Sequence, residues 1–202
     1  MDITRKRFVG YLDIMGFKNI ICRTVHKDLL EKMCRFESII NNLNYIQNKD
    51  EIKNRYPNVS IKSVLFSDSI TLISSDDSAN SADLITMASI YLVKECLNVG
   101  LPINGAISLG EFSADFEKSI LVGKPLVDSY LLQSSLLLYG IVLDHNVERF
   151  LRQRSHSFPY REVRNKECMV NQVSYKLKSE KKYCSDTRGL VQQREYSMQG
   201  SG

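Results

Sequence analysis

The feature that most constrains the fold is a short apolar run near the N-terminus that contains an aspartate. The run extends from Phe8 to Met15, reads FVGYLDIM, and is rich in β-branched and aromatic residues. Such a run is typical of a central strand that is covered on both faces. Asp13 lies inside the run and Gly16 ends it. An ionised carboxylate in a covered sheet costs several kcal/mol, so the environment of Asp13 has to compensate its charge.

Length and composition describe an ordinary globular chain. The 202 residues are 43% hydrophobic and 25% charged, which predicts one compact domain. No stretch of 18 or more residues is entirely apolar, and the N-terminal MDITRKRF lacks the apolar region of a secretory signal. We therefore expect no membrane association and a cytoplasmic location.

Cysteine and histidine do not indicate a metal centre. The five cysteines and three histidines are scattered along the chain, and no C-x-x-C pair is present. Zinc ribbons and disulfide frameworks both need closer spacing. Any metal site is therefore expected to use oxygen ligands.

Positive charge is concentrated near the C-terminus. Residues 1–145 carry 15 Lys and Arg against 17 Asp and Glu, whereas residues 146–202 carry 12 against 6. Such a region can attract nucleic acid or form a solvated face. Because no aromatic-basic RNA motif accompanies it, nucleic acid is the weaker of these two interpretations.

Two helical patterns follow the first apolar run. From Ile21 to Leu43, apolar residues recur at steps of three or four, which predicts one stripe on a long amphipathic helix. The segment 49–58 is polar and contains a proline, so it is predicted to be a loop. A second helix is predicted to end at about Asn98, since DDSANSAD supplies N-caps before it and Gly100 is a natural C-terminal stop.

Strand-like segments lie between and after these helices. VSIKSVLF and ITLISS flank the short connection Ser67, Asp68 and Ser69 and predict a β-hairpin. INGAISLG predicts a strand in which Gly105 allows close backbone approach, and SILVG predicts its hairpin partner. A third helix with Pro125 at its start, a strand at YGIVLDH and a short basic helix complete the pattern.

The order of the first six elements predicts an α+β fold with a ferredoxin-like βαββαβ core, to which extra strands and a helix are added. In that core the first and third strands lie side by side in the middle, so Asp13 and Asp68 are expected to be neighbours. The domain is predicted to cover residues 1–177, with a plausible strand at CMVNQVSY. Residues 178–202 have few apolar side chains and are predicted to be disordered or loosely docked.

Two neighbouring carboxylates have two solutions: one takes up a proton, or a divalent cation binds between them. The second solution predicts Mg²⁺ or Mn²⁺ held by Asp13 and Asp68 against substrate phosphates. The main-chain N–H groups of residues 14–17 (Ile14, Met15, Gly16, Phe17) would then face a triphosphate beside a helix start. The alternative is structural, since Asp13 can cap the next helix and SDS is common turn chemistry.

Four segments resemble a known family. YLDIMGF resembles the F-x-D-I-x-G-F motif of class III nucleotidyl cyclases, FSDSI occupies the place of the hairpin with their second metal aspartate, and NGAISLGEF resembles the strand that follows. Together with GKPLVDSY, these segments are most similar to the small bacterial pyrimidine cyclases of the Pycsar anti-phage system. The resemblance runs from about Phe8 to Asp144.

The resemblance implies a class III cyclase-type catalytic domain that acts as a head-to-tail homodimer with active sites at the interface. The implied reaction converts a nucleoside triphosphate, UTP or CTP, into cUMP or cCMP and pyrophosphate, as an alarm signal for a cyclic nucleotide effector encoded elsewhere. Asp13 and Asp68, with Ile14 beside them, would hold two Mg²⁺ or Mn²⁺ ions.

Two departures from the family pattern bear on activity. Asn104 stands where the family has an arginine, which removes a cation, and it is counted among the catalytic positions. The third helix has Val127 and Leu131 where purine cyclases place Asn and Arg. The pyrimidine branch generally lacks that Asn and Arg pair too. Lys124 is either a triphosphate ligand or a surface lysine. The alternative function is a catalytically impaired nucleotide-binding homologue that acts as a signalling or scaffold module.

Overall fold

The computed structural model describes residues 4–153 and three short backbone segments, 176–177, 183–185 and 191–193. Six helices and seven strands lie between residues 4 and 153. The strands are β1 (Thr4–Ile14), β2 (Ile61–Phe66), β3 (Ser69–Ser74), β4 (Ile103–Asp115), β5 (Ile120–Gly123), β6 (Leu136–Leu137) and β7 (Gly140–Leu143). The helices are α1 (Phe17–Arg23), α2 (His26–Gln47), α3 (Asp50–Arg55), α4 (Ala79–Asn98), α5 (Lys124–Ser135) and α6 (His145–Gln153).

One six-stranded sheet organises the domain. Its hydrogen-bonded order is β2-β3-β1-β4-β5, and β7 pairs in parallel with β4. Strand β1 is central and antiparallel to both β3 and β4. This is the order that the ferredoxin-like prediction requires, with β5, β7 and further helices added to the core.

The first face of the sheet carries most of the core. Phe8, Leu12 and Ile14 alternate along β1 and are almost fully buried there. They belong to an apolar cluster with buried residues of α2 and α4, such as Phe36 and Leu92. Burial of these side chains supplies the main driving force for folding on this side.

The second face is covered less completely. A small cluster of Val9, Ile73 and Phe112 lies there, packed against Leu121 of β5 and Leu126 of α5. Helix α5 thus lies on the face opposite to α2 and α4, the two helices that belong to the ferredoxin-like core. The part of this face above β2 and β3 is the more open one.

Two local predictions were wrong. The expected continuous helix is divided, because Thr24 ends α1 in an extended conformation (φ −108°, ψ 138°) and α2 begins at His26. The expected loop at 49–58 contains α3, whose first turn carries Asp50 and Glu51 and whose last turn carries Lys53 and Arg55. These charges stabilise the two ends of the helix dipole.

The short strands near the C-terminus add little to the described fold. The pairs are β8 (Lys176–Leu177) with β6, and β9 (Tyr183–Ser185) with β10 (Val191–Gln193). The predicted strand CMVNQVSY lies outside the described residues, and the predicted boundary at residue 177 stays a prediction. Within the described part of the chain, no helix is long and apolar enough to cross a membrane.

Close packing at Gly105 gives a stability prediction. A Cβ on Gly105 would lie 2.6 Å from the main-chain oxygen of Tyr11 and 3.0 Å from Cα of Leu12, which confirms the expected close backbone approach. Because the clash is with backbone, we expect Gly105→Ala to lower the free energy of unfolding by about 2 kcal/mol. Urea denaturation of both proteins measures this difference.

Gly10 provides the matched control for that substitution. It lies in β1, and a Cβ there would meet its nearest neighbour, Leu12 Cδ1, at 3.4 Å, an ordinary van der Waals distance. Gly10→Ala should therefore cost less than about 1 kcal/mol. Equal losses in the two variants would show that the strand spacing adjusts at Gly105.

Asp83 of α4 gives a pH prediction. Burial raises the pKa of its carboxyl from 3.8 to about 6, although Arg55 acts in the opposite direction, and Oδ1 is buried without a hydrogen-bond partner. The folded state therefore holds the proton more tightly than the unfolded state. The resulting stability is present below pH 3.8 and is lost as the pH rises through about 6.

We expect Asp83→Asn to remove this dependence and to stabilise the protein at pH 7.5 by on the order of 1 kcal/mol, because solvent screens a carboxyl that is only half-buried. The measurement is the difference in unfolding free energy between the two proteins from pH 4 to pH 8. A difference that stays constant over this range would contradict the prediction.

Candidate active site

Asp13 is the penultimate residue of β1 and points to the second face of the sheet. It lies opposite Ser69 in β3 and opposite Asn104 in β4. Since side chains alternate along a strand, Asp13 shares this face with Tyr11, whereas Leu12 and Ile14 enter the core. The carboxylate is half-buried, which places it in a protein environment that solvent still reaches.

Asp68 lies in the two-residue turn between β2 and β3. Ser67, the other turn residue, has a left-handed backbone (φ 55°), which reverses the chain tightly. The main-chain oxygen of Asp68 accepts a hydrogen bond of 3.0 Å from the N–H of Ile14. The turn is therefore fixed to the end of β1, and the structure brings Asp13 and Asp68 together as the sequence predicts.

The pKa of Tyr11 depends on the charges of both aspartates. Burial raises the pKa of Tyr11; a hydrogen bond with Ser69 lowers it; the negative charges of Asp13 and Asp68 raise it further. Both carboxylates thus act on one phenol at the second face.

The donor set fits a hard divalent cation. Across the described residues, no group of three or more His, Cys, Asp and Glu side chains is placed to hold a metal ion. A pair of carboxylates is what Mg²⁺ commonly takes from a protein, because it keeps several waters and binds substrate phosphates. Asp13 and Asp68 supply that pair. The N–H of Ile14, the residue after Asp13, donates to the main-chain oxygen of Asp68.

The predicted phosphate-binding amides are only partly available. The N–H of Ile14 donates to Asp68, and that of Met15 donates to Pro102 at 2.8 Å, so both are occupied by the protein. Those two amides are therefore removed from the predicted group of phosphate-binding amides. Gly16 has a left-handed backbone (φ 71°) and precedes α1, whose first residue is Phe17. The first amides of a helix have no intrahelical acceptor, so this end remains suited to an anion.

Asn104 is placed beside Asp13 but is itself held by the protein. Its side chain is 5% exposed, and its Oδ1 accepts a hydrogen bond of 2.8 Å from Nε2 of Gln133 in α5. Gln133 is buried as well. The pair attaches the C-terminal half of α5 to β4, and it leaves the amide nitrogen of Asn104 as the group that can donate.

Lys124 is not part of this cluster within one chain. It begins α5, and its Nζ contacts Asp128 at 2.6 Å. The next residue, Pro125, packs on Gly110, which lies opposite Arg7 in β1. Six residues of strand separate Arg7 from Asp13, a distance of about 20 Å. The two ends of α5 thus lie at opposite ends of the sheet.

Sequence reasoning missed three residues at this site. The hydroxyl of Tyr11 lies 2.8 Å from Oγ of Ser69, and Ser69 donates to Oδ1 of Asp13 at 3.2 Å. The ring of Tyr130 in α5 packs edge-to-face on Tyr11, with centroids 5.3 Å apart. The signal for Tyr11 was its spacing of two from Asp13 in a strand, whereas Tyr130 depends on the tertiary position of α5.

Solved structures share the fold. A bacterial light-regulated adenylyl cyclase aligns with a TM-score of 0.55 and 13% identity over 74% of this chain and 81% of its own. The catalytic core of a rhodopsin-guanylyl cyclase with converted specificity, in complex with ATPαS, aligns with a TM-score of 0.54 and 16% identity over 73% and 81% of the two chains.

Sequence comparison adds nothing to this likeness, since no protein-family model matches the chain and no curated protein matches it. At identities of 13% and 16%, the similarity concerns the fold. The chain therefore has the α+β fold of class III cyclase catalytic domains, with Asp13 and Asp68 adjacent at the end of its central strand.

Proposed function

We propose that this chain is a metal-dependent nucleotidyl cyclase that converts a pyrimidine nucleoside triphosphate, UTP or CTP, into a 3′,5′-cyclic mononucleotide and pyrophosphate. The observation that carries the proposal is the meeting of Asp13 and Asp68 at one edge of a cyclase-type sheet. The contact joins main-chain groups, the N–H of Ile14 and the carbonyl of Asp68, and two carboxylates that converge beside it would be costly unless a cation or proton compensated them.

In this proposal Asp13 and Asp68 hold two Mg²⁺ or Mn²⁺ ions. Such ions supply charge neutralisation to the triphosphate and Lewis acidity toward the ribose 3′-oxygen. The bond that forms joins this oxygen to the α-phosphorus, the bond that breaks releases pyrophosphate, and the 3′-hydroxyl proton leaves to water. The protein contributes mainly by positioning the reacting groups.

Gly16 and the start of α1 are assigned to the triphosphate. Gly16 has no side chain and a left-handed backbone, and among the described residues no atom beyond its chain neighbours lies within 4 Å of the position of a Cβ there. Phosphate oxygens can then approach the amides of Gly16 and Phe17 closely. The proposal also keeps Ile14 at the metal site through its carbonyl group.

The assignment to pyrimidines rests on the sequence resemblance, and Val64 argues only against adenine. Purine cyclases often carry a lysine at this position, four residues before the second aspartate. Val64 instead packs against the small apolar cluster of Val9, Ile73 and Phe112. An anti-phage role, in which cUMP or cCMP activates an effector encoded elsewhere, follows from the same resemblance.

We assign the active form to a head-to-tail homodimer. Helix α5 exposes Val127, Tyr130 and Leu131, each about half accessible, beside the open part of the second face, where Phe66 is 80% exposed. Apolar surface of this kind is typical of interfaces. Since Lys124 lies far from Asp13 in one chain, only a second copy can bring these two residues to one triphosphate.

The direct test incubates purified protein with each of the four ribonucleoside triphosphates and Mn²⁺ or Mg²⁺, and detects cyclic mononucleotide by mass spectrometry. We expect product from UTP or CTP. Asp13→Ala and Asp68→Ala should each lower turnover at least about 100-fold, because each removes charge stabilisation at the metal site. Asp50→Ala, which changes an exposed carboxylate of α3, is the matched control and should leave turnover unchanged.

The alternative function predicts a different result. The hydrogen bond from Gln133 to Asn104 shows a neutral, internally satisfied group where the family has an arginine. A chain that has lost activity for this reason would bind the triphosphate and metal but release no cyclic product. Turnover that persists in both Asp13→Ala and Asp68→Ala would contradict the assigned metal site.

Composite sites can be tested by mixing variants. If Asp13 of one chain and Lys124 of the other serve the same site, Asp13→Ala and Lys124→Ala are each inactive alone. Their heterodimer contains one site with both defects and one intact site. An equal mixture, after subunit exchange, should recover about a quarter of the wild-type activity. No recovery, with exchange confirmed by mass, would place both residues in one chain's site, whereas full activity of Lys124→Ala alone would show that Lys124 is dispensable.

A further inference from the structure

The second face contains a chain of hydroxyl groups that the proposed reaction does not itself use. It connects Tyr11, Ser69 and Asp13. We propose that Tyr11 and Ser69 are positioning residues that orient the Asp13 carboxylate for a divalent cation. This inference rests on the metal site of the proposed function, and it concerns residues to which that function gives no role.

Hydrogen-bond geometry fixes the direction of the chain. Oγ of Ser69 donates to Oδ1 of Asp13 at 3.2 Å, which uses the single hydroxyl hydrogen of the serine. Oη of Tyr11 lies 2.8 Å from the same Oγ, so the phenol has to be the donor of that bond. The hydroxyls therefore run from Tyr11 through Ser69 to the carboxylate.

The backbone and a neighbouring ring hold this chain in place. Asp13 and Ser69 are opposite each other in the β1–β3 register, and Tyr11 is two residues before Asp13 on the same face. The Tyr11 ring is half-buried and packs edge-to-face on Tyr130, with an interplanar angle of 89°. Rotation of either hydroxyl away from its partner would break a hydrogen bond in a partly buried environment.

The chemistry of the donors suits a metal ligand. A hydroxyl orients a carboxylate without cancelling its negative charge, whereas an ammonium or guanidinium would compete with the cation. Ser69 contacts Oδ1 through one hydrogen bond, which occupies one of the roughly four lone-pair sites of a carboxylate. Hydrogen bonds of this kind to metal-binding groups commonly contribute 10-fold or more to affinity.

The experiment measures Mn²⁺ binding to the full chain without nucleotide, by electron paramagnetic resonance of the free ion. Tyr11→Phe removes only the phenol oxygen and keeps the ring on Tyr130, and Ser69→Ala removes the central hydroxyl. We expect each to weaken Mn²⁺ binding about 10-fold. Ser69→Thr, which restores a hydroxyl, should recover most of the affinity.

Thr71→Val is the matched control. Thr71 lies opposite Tyr11 in β3, on the same face, and is two residues from Ser69. Its substitution removes a hydroxyl of similar exposure that lies outside the chain to Asp13. It should leave Mn²⁺ affinity unchanged, and thermal unfolding of all variants checks that none loses its fold.

Activity provides a second readout that a merely structural role would not produce. In Tyr11→Phe and Ser69→Ala, the Mn²⁺ concentration for half-maximal turnover should rise about 10-fold. The KM for triphosphate at saturating Mn²⁺ should stay near the wild-type value. A rise in KM that saturating Mn²⁺ does not reverse would contradict the inference.

The outcomes separate this inference from the proposed function. Metal binding that requires Asp13 and weakens in the two hydroxyl variants supports the inference even if no cyclic product is formed. Wild-type affinity in both hydroxyl variants overturns it, whatever the turnover. Mn²⁺ binding that is absent in the wild type, or unchanged in Asp13→Ala, overturns the inference and the proposed metal site together.

Discussion

The site depends on the register of β1 between β3 and β4. Strand β1 is paired on both sides, and Asp13 lies opposite Ser69 on one side and Asn104 on the other. A shift of one residue would turn every side chain of β1 to the other face. Phe8, Leu12 and Ile14 would then leave the core and Asp13 would enter it. Core packing on the first face therefore fixes the position of the carboxylate on the second.

The first face of the sheet carries most of the apolar core, and the second face carries the candidate site. The first face packs against α2 and α4 in a large apolar cluster, whereas the cluster of buried residues on the second face consists of Val9, Ile73 and Phe112. A face with a thin core tolerates half-buried polar groups at lower cost, because water still reaches them. The aspartates lie on that side, and Phe66, in the strand that leads into the Asp68 turn, is 80% exposed.

Sequence patterns identified the elements whose signal is local. The apolar run predicted β1, the turn residues predicted the β2–β3 hairpin, and Gly105 was assigned the close approach that the structure shows. Local patterns failed where the structure depends on which apolar side chains are exposed to solvent. Ile21 and Val25 continue the apolar period of α2, yet both are exposed, and the extended backbone at Thr24 ends α1 between them. The periodicity of a sequence does not show which part of an apolar stripe packs against another element.

Long-range placement was predictable only where the topology is simple. Two central strands and one hairpin suffice to bring Asp13 and Asp68 together, so the sequence predicted that contact. The location of α5 on the opposite face follows from the packing of Leu126 and Pro125, which no local pattern reveals. The sequence left Lys124 as either a triphosphate ligand or a surface lysine, and the packing of α5 places it near Gly110, at the other end of the sheet from the aspartates.

The neighbours of Asp13 show how strand pairing can order a carboxylate. Ser69 and Tyr11 supply neutral donors from adjacent strand positions, and Gln133 donates to Oδ1 of Asn104 on the other side. The sheet register places all of these groups in adjacent rows of one face. The ordering of the site is therefore a property of the strand pairing itself.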